Sequence, residues 1–263
     1  MSILKEIYNY KLDFVSRKKK LLPQNNIESK ISLSKYENNF FSKKLNSQKN
    51  RISIIGEIKK ASPSLGKFVN DDIDLIKIAK EYEKSDISCI SILTDEKYFN
   101  GKITDLEKIK KNISIPILRK DFIVDEYQIY ESKLYGADCI LIILSMLKDN
   151  DAKKFISIAN DLNMDTIVEV HNIEELERSK KMNSNLLGIN NRNLNDFTTN
   201  IEITINLVKE IENNEKLLIS ESGFHSKNDV YKIARTTGIN NYLIGEYLMK
   251  SKNLKKNISN LLN

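Results

Sequence analysis

The sequence predicts a (β/α)8 barrel, the TIM-barrel class of α/β fold, with additional N-terminal helices. Three observations carry that expectation. From Ile52 onward, eight short apolar stretches alternate with eight amphipathic ones, the pattern of parallel strands each covered by a helix. The apolar stretches are nearly continuous, as in strands buried on both faces. The chain has 263 residues, enough for the roughly 250 that such a barrel needs. An open doubly wound sheet usually has fewer strands and often a glycine-rich first strand–helix turn, which this sequence lacks.

The elements follow in order. Ile3, Leu4, Ile7, Tyr8, Leu12 and Val15 recur at spacings of three and four, so a helix is expected over 3–20, with Pro23 ending it. A second helix is expected over 33–45, capped by Ser32 or Ser34 and anchored by Phe40-Phe41. Both precede the first strand. Segment 1–48 is therefore an addition to the repeat, expected to cap the catalytic face of a single barrel domain spanning 1–263. Strands are expected over 52–58, 87–93, 115–119, 139–143, 166–170, 186–189, 217–220 and 242–244. Helices are expected between them over 73–84, 103–111, 126–135, 149–162, 173–181, 201–212 and 227–236, with a last one after Gly245. Asp71-Asp72, Asp125, Asp151, Asn172 and Ser226 stand where helix N-caps belong, and Gly136 and Gly238 stand just past helix ends, where a left-handed cap is wanted.

Composition narrows the function. No apolar run reaches the roughly 18 residues of a membrane helix. Lys5, Lys11 and Asp13 interrupt any N-terminal secretory stretch, so a cytoplasmic protein is expected. Cys89 and Cys139 fall inside expected strands and read as small buried apolar residues. Lys and Arg number 42 against 36 Asp and Glu, a formal charge of +6 that suits an anionic small ligand. The lysines alternate with acids over helical faces, which disfavours nucleic acid. No His, Cys and carboxylate spacing indicates a metal site.

In this fold the active site lies at the C-terminal ends of the strands. The first strand ends in Glu57-Ile58-Lys59. Glu57 and Lys59 share one face while Ile58 points with the apolar set. Opposite charges on an inner face are costly unless a site uses them; the alternative is a surface salt bridge. A turn-rich loop, Lys60-Ala61-Ser62-Pro63-Ser64-Leu65-Gly66, follows. The two-residue spacing recurs in Lys120 and Phe122 and in Asn190 and Arg192, and the fifth strand ends in Glu169-Val170-His171. Any one of these residues is more often a solvated loop group, but their joint placement at strand ends argues for one mouth. The loops after the last two strands, Ser222-Gly223 and Gly245-Glu246, are where this fold binds phosphate through backbone N–H groups. His171 and His225 have no spaced partner and are read as structural or supporting.

At this point the sequence resembles the indole-3-glycerol-phosphate synthases of tryptophan biosynthesis. The matching motifs are Glu57-Ile-Lys59-Lys-Ala-Ser62-Pro-Ser-Leu-Gly66, Leu93-Thr-Asp with Tyr98-Phe-Asn-Gly101, and Pro116-Ile-Leu-Arg-Lys120-Asp-Phe122. Further on come Glu169-Val-His, Gly188-Ile-Asn190-Asn-Arg192-Asn-Leu, Glu221-Ser222-Gly223 and Gly245-Glu-Tyr-Leu-Met249. The start, Ile3-Leu4-Lys-Glu-Ile7 with Lys18-Lys19, also looks like the family. Leu65 stands where the family commonly has Lys, Lys102 where Ser is usual, and Tyr247 where a small residue is usual. No fused isomerase domain is expected.

The resemblance implies a carboxy-lyase that needs no cofactor or metal. Its substrate is 1-(2-carboxyphenylamino)-1-deoxyribulose 5-phosphate, whose ring closes with loss of CO2 and water. It implies Lys120 as the proton donor to the carbonyl oxygen and Glu169 as the base. Lys59, held by Glu57, would be a donor or carboxylate contact, with Asn190 and Arg192 orienting the substrate. Phe122 would pack on the anthranilate ring, with Ser62 and Ser222 nearby, and Lys59, Gly223, Gly245 and Glu246 would hold the phosphate. A monomer or weak homodimer is expected. Two other readings are a phosphoribosylanthranilate isomerase type of barrel, expected to use Cys and Asp at early strand ends, and a non-catalytic barrel binding a phosphorylated ligand.

Overall fold

Period-two alternation decides how the barrel is filled. The computed structural model describes residues 3–31, 41–48, 51–62, 66–67, 73–194, 196–211, 216–251 and 253–262. The barrel strands are β1 (Ser53–Ile58), β2 (Cys89–Leu93), β3 (Ile117–Lys120), β4 (Cys139–Ile143), β5 (Asp165–Val170), β6 (Leu186–Asn190), β7 (Leu217–Glu221) and β8 (Asn241–Ile244). Each pairs in parallel with its neighbours in sequence, and β1 pairs with β8 to close the sheet. The outward set, including Ile54, Ile58, Ile90, Ile92, Ile140, Val168 and Ile189, joins the helices in the larger core. The inward set, including Ile55, Cys89, Leu118, Cys139, Leu141, Ile167, Ile219 and Leu243, fills the barrel. Both cysteines are buried in that filling. Two residues further along, the inward positions turn polar: Glu57, Lys120, Glu169 and Glu221. Register brings them to one level, with Glu169 opposite Gly188 and Asn190 opposite Glu221.

Local signals set the covering helices: α4 (Leu75–Lys84), α5 (Glu96–Phe99), α6 (Ile103–Lys110), α7 (Glu126–Leu134), α8 (Asp149–Asp161), α9 (Ile173–Ser179), α10 (Glu202–Lys209) and α11 (Lys227–Thr237). Asp125 caps α7 in a reciprocal pair with Gln128. Asn172 caps α9 by accepting the Glu175 N–H, and Gly238 ends α11 in the left-handed region at φ +76. Asp151 is not a cap. Helix α8 begins at Asp149 after Lys148, so Asp151 sits in its first turn, where a carboxylate favours the helix dipole without capping it. The residue before α4 is Asp74, whose carboxylate accepts the Lys77 N–H; Asp71 and Asp72 lie outside the described residues. The last helical stretch divides into α12 (Glu246–Met249) and α13 (Leu254–Leu262).

The N-terminal segment departs most from expectation. Helix α1 (Ile3–Leu21) runs as its periodicity predicts, but a further helix, α2 (Gln24–Ile31), follows Pro23 directly. Ile27 anchors it, fully buried against Val15 and Tyr127. Of the helix expected over 33–45, the described part is α3 (Phe41–Asn46), since residues 32–40 lie outside the described set. The segment does not act as one cap. Ile3, Leu4 and Ile7 of α1 line the mouth, whereas Phe41 and Leu45 of α3 pack against Ile55, Cys89 and Leu217 at the opposite end. There Ser42 donates its N–H (2.8 Å) and hydroxyl (3.0 Å) to Asp165 at the start of β5. The physical reason is that both ends of an apolar-filled barrel need a cover, and Phe41 and Leu45 form the apolar face that supplies the lower one.

Candidate active site

Five charged side chains converge at the C-terminal end of the barrel. Lys59 Nζ lies 2.6 Å from Glu57 Oε1. Lys120 Nζ lies 2.9 Å from Glu169 Oε2 and 3.1 Å from Glu221 Oε2. Glu169 and Glu221 are each 1% exposed or less. Burial opposes the charge on Lys120, but the carboxylates of Glu169, Glu221 and Glu57 outweigh it and hold the ammonium above its ordinary value. Burial likewise opposes ionisation of Glu169, yet Lys120 and His171 hold its carboxyl well below the usual range. Glu221 goes the other way: burial and the Glu169 carboxylate raise it, despite Lys120. Two carboxylates that share one cation are thus pushed apart in acidity, the arrangement expected of an acid–base pair.

Two glycines make room for this layer. A Cβ at Gly188 would collide with the Glu221 carboxylate, and one at Gly245 would collide with that of Glu57. Glu221 belongs to the charged layer, but sequence reasoning did not single it out. The signal was available: Leu217, Ile219 and Glu221 alternate inward, the parity that singles out Glu57 after Ile55.

Opposite the charges lies an apolar wall. A cavity of about 110 Å³ is lined by Glu57, Lys59, Ser62, Lys120, Phe122, Glu169, Asn190, Arg192 and Ser222, together with Ile3, Leu4, Ile7, Leu141 and Phe197. The Phe122 ring lies 6.1 Å from Phe99 and 6.5 Å from Tyr98. A small polar hollow of about 30 Å³ adjoins it, between Lys59, Arg192, Ser222, Gly223, Gly245 and Glu246. Ser222 and Gly223 both take the left-handed region, at φ +66 and +83, a conformation that costs a serine but not a glycine. Every candidate residue read from the sequence therefore lies on one of two adjoining surfaces. Asn190 and Arg192 are also tied locally: Asn190 Oδ1 accepts the Arg192 N–H at 3.0 Å, and Arg192 Nη1 donates to the Phe197 carbonyl at 2.9 Å. The Glu246 carboxylate is held by Lys250 at 2.6 Å.

A buried ion network fastens α1 to the mouth. Lys11, 1% exposed, lies 2.7 Å from Asp95 and 2.6 Å from Asp121. Asp121 also meets Arg119 at 3.1 Å and accepts the Thr94 hydroxyl at 2.6 Å. Burial would raise the Asp121 carboxyl, but Lys11 and Arg119 hold it down at about 2. Asp121 stands between Lys120 and Phe122, so the network reaches the charged layer.

His171 is better connected than its sequence context implies. Nε2 lies 3.3 Å from Glu169 Oε1 and Nδ1 lies 3.0 Å from Glu175 Oε2. The missed partner Glu175 is four residues ahead on α9, a helical spacing. His225 is exposed, and its N–H donates to Asp229. Among the described residues, no group of three His, Cys, Asp or Glu side chains is arranged to hold a metal ion, and no helix is long and apolar enough to cross a membrane.

Comparison with known proteins places the chain in a family. The family model described as indole-3-glycerol phosphate synthase matches residues 4–261. The chain is 42% identical over 248 residues to the indole-3-glycerol phosphate synthase of Caldanaerobacter subterraneus subsp. tengcongensis, covering 94% of this chain and 93% of that one. It is 44% identical over 248 residues to that of Thermoanaerobacter pseudethanolicus, covering 94% and 92%. With that of Legionella pneumophila it shares 40% over 261 residues, covering 99% and 98%. Among solved structures, thiamine phosphate pyrophosphorylase from Pyrococcus furiosus superposes with a TM-score of 0.58 at 13% identity, over 81% of this chain and 95% of that one. That likeness speaks to the barrel fold alone.

Proposed function

The chain belongs to the indole-3-glycerol phosphate synthase family, and from that premise we propose how its barrel mouth divides the work of the family's reaction. The protein is a carboxy-lyase of tryptophan biosynthesis. It closes the ring of 1-(2-carboxyphenylamino)-1-deoxyribulose 5-phosphate with loss of CO2 and water. The aromatic carbon bearing the carboxylate attacks the C2 carbonyl, whose oxygen gains negative charge. The Lys120 ammonium faces that oxygen and donates to it. A cation so placed stabilises the developing alkoxide more than the neutral carbonyl, and that difference accelerates the step. Loss of CO2 restores aromaticity. Glu169, kept ionised, then accepts the proton that must leave with the remaining hydroxyl.

Glu57 orients Lys59, which reaches the substrate's polar end and its phosphate. The small hollow holds the phosphate through Gly223, Gly245 and Glu246, with the N–H groups at the start of α12 unused by the helix itself. Asn190, Arg192, Ser62 and Ser222 orient the sugar chain, and Phe122 packs on the anthranilate ring. The apolar side of the cavity suits that ring, and the charged side suits the carbonyl. On this reading segment 1–48 belongs to a single barrel domain, with α1 covering the mouth. The protein works in the cytoplasm, as a monomer or weak homodimer, on a phosphorylated small molecule.

The observation that carries the reading is the Lys120 ammonium set between Glu169 and Glu221. Its test is the growth of indole fluorescence when purified protein meets the substrate, repeated with Glu169→Gln. Loss of general acid–base help costs roughly 10²–10⁴-fold in rate, so kcat should fall at least about 10²-fold with KM nearly kept. A near-wild-type kcat would remove Glu169 from the base role.

A further inference from the structure

The proposed mechanism uses the face of Glu169 that meets Lys120 and leaves its other oxygen unassigned. That oxygen, Oε1, lies 3.3 Å from Nε2 of His171. Nε2 is buried and has no hydrogen-bond partner, so its contact with Glu169 is one of charge at ion-pair distance. The far ring nitrogen, Nδ1, lies 3.0 Å from Glu175 Oε2, and the same oxygen accepts the His171 backbone N–H at 2.9 Å. Glu175 is itself fixed. Its Oε1 accepts from Asn172 Nδ2 at 2.9 Å, and its N–H donates to Asn172 Oδ1 at 2.9 Å. The imidazole is therefore gripped between two carboxylates, one in the catalytic layer and one at the start of α9. A neutral ring has one N–H and one lone pair, so it would turn a lone pair toward one of the two anions. Only the doubly protonated ring turns an N–H and positive charge toward both.

We propose that His171 is a positioning residue that remains a cation and thereby makes Glu169, and not the neighbouring Glu221, the ionised member of the pair sharing Lys120. The inference rests on Glu169 being the base. Lys120 touches both carboxylates, so it cannot by itself choose between them. His171 touches Glu169, while the remaining oxygen of Glu221 is buried with no hydrogen-bond partner. One added cation on one side breaks the near-symmetry, and the proton goes to the carboxylate that lacks it.

The groups facing His171 come from several elements. Glu169 faces it from β5 and Glu175 from α9; beyond Glu169 stand Lys120 and Glu221. Arg192, Asn193 and Ser145 line the same hollow from the loops after β6 and β4. Burial disfavours charge on the ring. The two contacting carboxylates outweigh burial and push the imidazole up to about 9.

The chain contains two histidines, so imidazole resonances are readily assigned by NMR with His225→Gln as the reference. His171 should titrate well above the ordinary 6.5, and should fall in both Glu169→Gln and Glu175→Gln. In steady-state kinetics, His171→Gln should move the acid limb of kcat upward by about one pH unit or more, the size of a lost contacting charge, with KM on the plateau unchanged. His171→Arg, which keeps the cation, should restore part of that shift. A merely structural histidine would lower activity without moving the limb. Should His171→Gln not fold, Glu175→Gln carries the same expectation with a smaller shift. An imidazole titrating near 6.5 in the wild type, or an acid limb left in place in these variants, overturns the inference. Glu169→Gln separates the two readings. Lost turnover there, together with an unmoved limb in His171→Gln, overturns this inference alone, whereas retained turnover overturns the base assignment and this inference with it.

Discussion

Lys120 sits where two buried carboxylates compete for one ammonium, so replacing it has two consequences that must be told apart. Lys120→Met keeps the stem's packing and deletes both charge and proton. On the proposed role the reaction then loses its donor, and kcat should fall to about a hundredth of wild type or lower, the least loss expected for a lost general acid. The same change leaves Glu169 and Glu221 facing each other without their cation, so the variant should also be less stable, and circular dichroism is the folding control. Lys120→Arg should rescue poorly, because a guanidinium is larger and does not give up its proton. Retention of more than about a tenth of kcat in Lys120→Met would make Lys59 the leading donor. A second test at this scale concerns Gly245. Its place after the last strand makes it a phosphate contact, and in addition any Cβ there collides with Glu57. Gly245→Ala should therefore lower kcat as well as raise KM, since a displacement of about 1 Å near the chemistry can cost roughly 10²-fold. A change in KM alone would separate Gly245 from the Glu57–Lys59 pair.

At the scale of elements, α1 is held by charge as much as by its apolar face. Ile3, Leu4 and Ile7 cover the cavity, and one turn further on Lys11 is sunk between Asp95 and Asp121. Removing one partner of a buried ion network leaves the others uncompensated and typically costs about 3–5 kcal/mol. Lys11→Met should thus lower the urea midpoint markedly and expose α1 to protease before the barrel is cut. A variant with unchanged stability and an intact α1 would show that the apolar face alone fastens the helix. The opposite end is closed by α3, whose Phe41 is fully buried. Phe41→Ala opens the floor of the barrel and should cost about 3–5 kcal/mol, typical of a buried phenylalanine, with little effect on KM because the mouth is untouched.

Across the whole molecule, buried charges tie stability to pH in opposite directions. The Asp121 carboxyl is held at about 2 in the fold against an ordinary 3.8. Its folded value is depressed, so its contribution is present above about 3.8 and lost as pH falls through about 2. The His171 imidazole is raised to about 9 from 6.5. Its contribution is complete below about 6.5 and lost as pH rises through about 9. Urea unfolding of wild type and His171→Gln should therefore differ most at pH 6 and converge near pH 10. A gap that is constant with pH would mean that His171 contributes packing and no charge.

By itself the sequence determined the architecture and most of the polar residues that line the barrel mouth. Eight apolar stretches separated by capped helices leave little but a closed parallel sheet, and the strand bounds agree with the pattern to within a few residues, because a strand buried on both faces has little freedom in which residues it hides. Glu57, Lys59, Lys120, Phe122, Glu169, Asn190 and Arg192 were legible for the same reason: polar residues at strand ends, in inward parity, stand out against apolar neighbours. Tertiary structure alone decided which charges touch. Lys120 and Glu221 are 101 residues apart in the chain, as are no two groups that a local pattern can relate. Lys11 with Asp121, and α3 beneath the barrel, are long-range in the same way. Spacing tells which face a side chain takes, whereas the closure of the sheet sets what stands across from it. The acidity of Glu169 and Glu221 follows from that closure, since burial and the distance to a shared ammonium exist only once the barrel has formed.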